Sequence, residues 1–167
     1  AFAVSFDGPI AIRYPRGSAH QGLREYQAPV EYGRSEIIRK GKKIAVLGVG
    51  SMIPSCMEIC KGLKDDGYDP TFVNARFVKP LDVDLLDELA KDHSLFVTVE
   101  ENVKSGGYGE HVSAYMEACH PEIRVLSAAV WDRFVPQGNV ESLRSRIGLG
   151  VEDIRQAIED SEELREQ

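Results

Sequence analysis

A three-layer α/β sandwich around a mostly parallel sheet is the fold class this sequence predicts. Three observations carry it. Short apolar runs alternate with stretches whose apolar residues recur at helical spacing, and glycine and proline mark the junctions between them. Apolar residues also make up 43% of the 167 positions, enough to bury a real core without disulfide or metal staples.

Lys43 to Val49 reads as a buried strand, which Gly50-Ser51 ends. Ile53, Cys56, Met57, Cys60 and Leu63 then share one helical face, with Ser51 as cap, Pro54 in the first turn and Gly67 as the stop. Thr71 to Ala75 is a second, short strand. Asp82 or Asp84 caps a helix that turns Leu85, Leu86 and Leu89 inward, and Leu95 to Val99 is the next strand. Gly106-Gly107 lead into a helix with Val112, Tyr115, Met116 and Cys119 on one face, and Ile123 to Ser127 is a further strand. Asn139 caps a short helix through Val140, Leu143 and Ile147, closed by Gly148, and Val151, Ile154 and Ile158 mark a last helix fading into an acidic tail. Strands alternating with helices imply parallel pairing through right-handed crossovers.

The first forty or so residues do not join that alternation. Ile10 to Tyr14 reads as one strand, and Pro15, Gly17, Ser18, Gly22 and Pro29 break up the next stretch as a linker would. The expected organisation is the tail of a preceding domain over 1–17, a linker over 18–42 and a C-terminal α/β domain over 43–167. Charge divides the same way: residues 1–43 hold eight Lys and Arg against four Asp and Glu, whereas residues 44–167 hold twelve against twenty-three. The acidic major part speaks against nucleic acid or an anionic membrane surface as a partner. No apolar run approaches the roughly 20 residues of a membrane span, and three cysteines fit no disulfide framework, which suggests a reducing, cytoplasmic setting. The sequence opens Ala1-Phe2-Ala3 without methionine or a targeting pattern, so its start reads as cut.

Several residue groups are candidates for chemistry, each with a plainer reading beside it. Gly48-x-Gly50 between strand and helix invites phosphate, but the third glycine of the fingerprint falls at Ile53 and no Lys-Ser or Lys-Thr follows; a tight turn and close helix packing explain the glycines as well. Cys56 and Cys60, with His120 elsewhere, have the elements of metal ligation, yet both cysteines lie on the apolar stripe of their helix, where free cysteine packs as core. His20, His93, His111 and His120 show no HExxH pairing, and no GxSxG elbow occurs. Glu100-Glu101 end a strand at the sheet edge where α/β sites form; as neighbours in an extended segment they point to opposite faces, which favours a structural role such as capping a helix N-terminus over shared acid and base work. Arg13 and Arg16 flank Pro15 just past a strand, a geometry able to hold a phosphate with paired guanidinium groups, although arginine pairs also lie on plain solvated surfaces.

Gly8-Pro9-Ile10-Ala11-Ile12-Arg13-Tyr14-Pro15-Arg16-Gly17 resembles the end of the middle, pyrimidine-binding domain of 1-deoxy-D-xylulose-5-phosphate synthases. Arg76-Phe77-Val78-Lys79-Pro80-Leu81-Asp82, Thr98-Val99-Glu100-Glu101-Asn102 with Gly106-Gly107, and Phe134-Val135-Pro136-Gln137-Gly138 with the stretch from Leu143 to Leu149 resemble, in order, the C-terminal domain of the same enzymes. The resemblance runs from about Asp7 to about Ile158. Transketolases and the beta subunits of 2-oxoacid dehydrogenases share this domain and are the near alternatives; a free-standing binding module of the same fold is another.

The resemblance implies a transketolase C-terminal-like fold. For the full-length enzyme it implies a transferase that condenses pyruvate with glyceraldehyde 3-phosphate, for isoprenoid and thiamine synthesis. Thiamine diphosphate supplies the ylid there, and magnesium bridges its diphosphate. The family's Gly-Asp-Gly metal motif appears here only as Phe6-Asp7-Gly8 and Asp66-Gly67, and the glutamate that activates the pyrimidine belongs to the middle domain. The fragment is therefore expected to hold neither cofactor nor metal, to be inactive alone, and to serve assembly, with the N-terminal and middle domains of the same polypeptide and a second copy in a homodimer as partners. In the family an arginine of the first motif reaches the acceptor's phosphate, which makes Arg13 the first choice and Arg16 the second.

Overall fold

A computed structural model of the chain describes residues 2–15, 20, 22–23, 25–26 and 28–161. Its elements are α1 (Phe2–Ser5), β1 (Glu36–Arg39), β2 (Lys43–Gly48), α2 (Ile53–Asp65), β3 (Thr71–Asn74), α3 (Val83–Ala90), β4 (His93–Val103), α4 (Tyr108–Cys119), β5 (Arg124–Val130), α5 (Val140–Arg146) and α6 (Val151–Glu159). The five strands form one sheet in the order β1-β3-β2-β4-β5. All neighbours are parallel except β1, which runs antiparallel to β3.

Alternation along the central strands sorts the core into two halves, since successive side chains leave a strand on opposite faces. Ile44 and Val46 of β2 with Leu95, Val97 and Val99 of β4 pack against α2 and α6; Ala45, Leu47 and Phe96 pack against α3 and α4. Helices thus cover both faces, the three-layer arrangement expected of a parallel sheet. On α2 the stripe Ile53, Cys56, Ile59, Cys60 and Leu63 is buried, and each of the large aliphatic side chains contributes roughly 1.5–3 kcal/mol by leaving water. Burial pushes the Cys56 thiol up and raises that of Cys60 to about 12, so both behave as core residues. His120 pairs instead with Asp87 on the far side of the sheet, at 2.7 Å.

Local signals place most helix ends. Asp82 caps α3 by accepting from the Leu85 amide, and Asn139 caps α5 by accepting from Glu141 and Ser142. Gly67 and Gly148 take positive φ values of 93° and 76° just past α2 and α5, a conformation that glycine reaches without strain. At Gly48 a Cβ would lie 2.8 Å from the Cys56 sulfur and 2.9 Å from Ile53 Cδ1, so this glycine lets α2 pack down on β2.

The structure departs from the sequence expectations at four places. Glu36–Arg39, within the expected linker 18–42, is a strand of the sheet; four residues with charged ends carry no periodic signal, and only pairing with the open edge of β3 makes them a strand. Ile10 to Tyr14, expected as a strand, has no ladder partner among the described residues and is irregular. Ser51 does not cap α2: it sits in a 3-10 turn over Gly50–Met52, Met52 takes the cap position, and the Ser51 hydroxyl is used elsewhere. Cys119, expected on the inward face of α4, is exposed at the end of the helix.

The N-terminal end of the parallel strands is closed by one hydrogen-bond chain. The Gly41 amide donates to Thr71 Oγ1 at 2.9 Å, and Thr71 Oγ1 lies 2.7 Å from His93 Nε2, while His93 Nδ1 lies 2.8 Å from the Leu89 carbonyl. A carbonyl only accepts, so Nδ1 carries the proton and Nε2 accepts from the threonine. This neutral tautomer is favoured by burial, which lowers the His93 pKa below its ordinary value.

Candidate functional site

In the sheet, β2 leads through α2 to β3 on one side, and β3 leads back through α3 to β4 on the other. The order reverses between β2 and β4, and ligands of open α/β sheets bind in the crevice outside the strand ends at such a point. Here that crevice lies between the turn Val49–Met52 and the end of β4, and it contains Ser51, Glu101 and, from α5, Arg144.

Glu100 and Glu101 divide along the pleat. Glu100, only 2% exposed, follows Phe96 and Thr98 onto the α4 face, where its two oxygens accept from the Tyr108 amide at 3.0 Å and the Gly109 amide at 2.8 Å. It fills the N-terminus of α4 with a carboxylate, the capping role its position suggested. The fit is close: a Cβ on Gly107 would lie 2.6 Å from Glu100 Oε1, and one on Gly109 would lie 2.3 Å from Ser127 Oγ and 2.4 Å from Thr98 Oγ1.

Glu101 turns to the opposite face. One oxygen accepts from the Ser51 hydroxyl; the other accepts from Arg144, at 2.9 Å from Nε and 2.7 Å from Nη2. Burial alone would raise the pKa of Glu101, but the hydrogen bonds from Ser51 and Arg144 and the charges of Arg144 and Arg13 outweigh it and hold the carboxyl below its ordinary value. Arg13, exposed on the N-terminal stretch, directs Nη2 to the Glu101 carbonyl at 3.4 Å. Of the two arginines singled out in the sequence, Arg13 therefore stands at this crevice, and Arg16 lies outside the described residues. Arg144 gave no signal beforehand, because only the fold of the segment after β5 brings it to Glu101.

These residues do not fit a diphosphate. The amides at the start of α4 already hold Glu100, and the turn before α2 faces the Glu101 carboxylate, so both positions that would attract an anion carry negative charge. The geometry locks two helices to the sheet edge.

A family match settles what kind of domain this is: residues 33–154 match the family described as transketolase, C-terminal domain. The chain belongs to that family. Among curated relatives, the 1-deoxy-D-xylulose-5-phosphate synthase of Lachnoclostridium phytofermentans is 41% identical over 154 residues, which cover 92% of this chain and 25% of the relative. The synthase of Dictyoglomus thermophilum is 40% identical over 157 residues, covering 93% of this chain and 25% of that one. The chain thus spans about a quarter of the length of the curated relatives it matches. Among solved structures, a split gene transketolase described as an inactive beta4 tetramer superposes with a TM-score of 0.75 at 28% identity, covering 83% of this chain and 44% of that one. A 2-oxoglutarate:ferredoxin oxidoreductase from Magnetococcus marinus shares the fold, with a TM-score of 0.52 at 16% identity, over 80% of this chain and 20% of its own. Among the described residues no helix is long and apolar enough to cross a membrane.

Proposed function

We propose that this chain is the C-terminal domain of a 1-deoxy-D-xylulose-5-phosphate synthase, which joins pyruvate to glyceraldehyde 3-phosphate with loss of carbon dioxide, and that it serves assembly. The observation that carries the reading is identity near 40% over nine tenths of the chain to synthases of which it covers a quarter. The remaining three quarters, the N-terminal and middle domains, hold thiamine diphosphate and magnesium. When bound there, the cofactor supplies the carbanion-stabilising ylid. The carboxylates at both candidate anion positions support a non-catalytic role for this part. The split transketolase, itself described as inactive and tetrameric, supports both inactivity and self-association for a chain of this type. The whole enzyme is a homodimer of the cytoplasm.

Arg13, at the sheet edge beside Glu101, is the group we assign to the acceptor's phosphate, with Arg16 three residues on as the alternative. Calorimetric titration with thiamine diphosphate and magnesium tests the division of labour. The complete polypeptide binds the cofactor and the isolated chain gives no heat of binding; micromolar, magnesium-dependent binding to the isolated chain refutes it.

A further inference from the structure

Single exposed apolar side chains are ordinary on a protein surface, but their gathering on one side is not. Every large apolar residue exposed among the described residues lies on a segment at the C-terminal end of the parallel strands: 4–14, 30–32, 78–83, 103 and 131–140. The segment before β1 belongs to this set because β1 is antiparallel, with Glu36 opposite Asn74 at the end of β3. The turns at the other end of the sheet and the outer faces of α2, α4 and α6 contribute none. Phe134 at 104%, Val4 at 92% and Tyr14 at 82% are the most open, and the set includes the aromatic rings of Trp131 and Tyr32, each at 58%. Large rings of this kind are the usual anchors of an interface.

We infer that this edge is the docking face for the domain that precedes the chain in the complete synthase, an inference that rests on the function proposed above. The N-terminal stretch indicates the occupant. Phe2 packs edge-on against Phe77 with ring centroids 5.7 Å apart, Phe6 stacks on Tyr32 at 5.1 Å, and Arg13 reaches Glu101. The polypeptide leading into this domain therefore already runs across the edge from the end of β3 to the end of β4. A body joined there is held at the face by a short tether, at an effective concentration on the order of millimolar, which a free second copy does not match. The chemistry of the partner is set by the rim. Lys104 lies over the Trp131 ring at 4.9 Å, and Arg13 and Arg133 are exposed on the same segments. Asp7, Glu31 and Asp132 are exposed on these segments too, so the matching surface is apolar, with recesses for two or three rings and charges of both signs at its margin.

Hydroxyl-radical footprinting of the complete polypeptide and of the chain alone tests this. Trp131 and Phe134, which lie on the α/β domain itself, lose most of their reactivity in the complete polypeptide and stay reactive in the chain alone at every concentration. Equal reactivity in the two overturns the inference; so does protection in the chain alone that grows with concentration, which gives the face to a second copy. A photo-crosslinker placed at position 134 of the complete polypeptide joins upstream residues of the same polypeptide, whereas a crosslink between two polypeptides overturns the assignment. The Phe134 ring lies outside the packed core, so this substitution leaves folding intact. Thiamine diphosphate binding by the complete polypeptide is read separately: protected rings without cofactor binding remove the function and keep the face, and binding with reactive rings does the reverse.

Discussion

At the N-terminal end of the parallel strands, Gly41, Thr71, His93 and Leu89 form one hydrogen-bond chain, and among the described residues no large apolar side chain is left in water there. At the C-terminal end, Glu100 holds α4, Glu101 holds Ser51 and α5, and aromatic rings stand open around them. Both ends hold these polar groups, although the buried Thr98 and Ser127 hydroxyls beneath α4 have no partner among the described residues. They differ in what remains outside: the first is finished by its own residues, and the second keeps apolar surface that its own fold never covers. This asymmetry is the one the inferred docking face requires, with a single sheet edge meeting the preceding domain.

Within the C-terminal edge the same contrast separates two adjacent carboxylates, and the largest expected effect lies there. Glu100→Ala leaves the buried amides of Tyr108 and Gly109 without acceptors and costs about 3 kcal/mol in urea unfolding of the chain. Glu101→Ala, which frees partly solvated Ser51 and Arg144, costs about 1 kcal/mol. Equal losses would show that the division between the two does not exist.

Arg13 is expected to separate function from stability. In the complete enzyme Arg13→Ala removes a charge-assisted phosphate contact and lowers kcat/KM for the acceptor roughly ten- to a hundredfold, about 1.5–3 kcal/mol, with little change toward pyruvate. Unfolding of the chain shifts by less than about 0.5 kcal/mol, since Arg13 is exposed. Lysine at this position rescues in part, because a point charge replaces a planar fork. Unchanged kinetics in Arg13→Ala with a defect in Arg16→Ala moves the role by three residues.

A smaller loss tests the packing under α4. Gly109→Ala sets a methyl against the hydroxyls of Ser127 and Thr98 and costs about 1.5 kcal/mol by denaturant unfolding, as overpacking does. Gly50→Ala meets no neighbour and pays only for its positive φ of 54°, about 1 kcal/mol.

The finest distinction is in pH, where the two ends should loosen in separate windows. The His93 pKa is lowered on folding, so the unfolded chain binds the proton more readily. Its contribution is complete above about 6.5 and fades as pH falls through that value. Glu101 is also lowered, but from the carboxylate range; its contribution is present above 4.5 and is lost as pH falls toward the folded value. Unfolding free energy measured against pH shows a first decline near 6.5 that His93→Gln removes, and a later one that Glu101→Gln reduces. A single decline unaffected by either substitution would contradict the separation.

Much of this was legible in the residues. The apolar stripe from Ile53 to Leu63, the alternation through β2 and β4, and the caps Asp82 and Asn139 all follow from rules that act over a turn of helix or a pair of strand residues. The opposite pointing of Glu100 and Glu101 follows from the strand pleat, and the core burial of Cys56 and Cys60 from the helical stripe. Local stereochemistry fixes these features, so sequence order is enough to read them. What the tertiary structure alone decided joins residues far apart in the chain. Glu36–Arg39 became a strand only because β3 offered a free edge, and Ser51 left its expected cap to bond a glutamate 50 positions away. Arg144 meets that glutamate across 43 positions, and the open rings at 14, 131 and 134 share one edge only after the sheet has ordered its strands. Such pairings depend on which strand ends lie side by side, and that is set by the packing of both helical layers on the sheet, which no local pattern encodes.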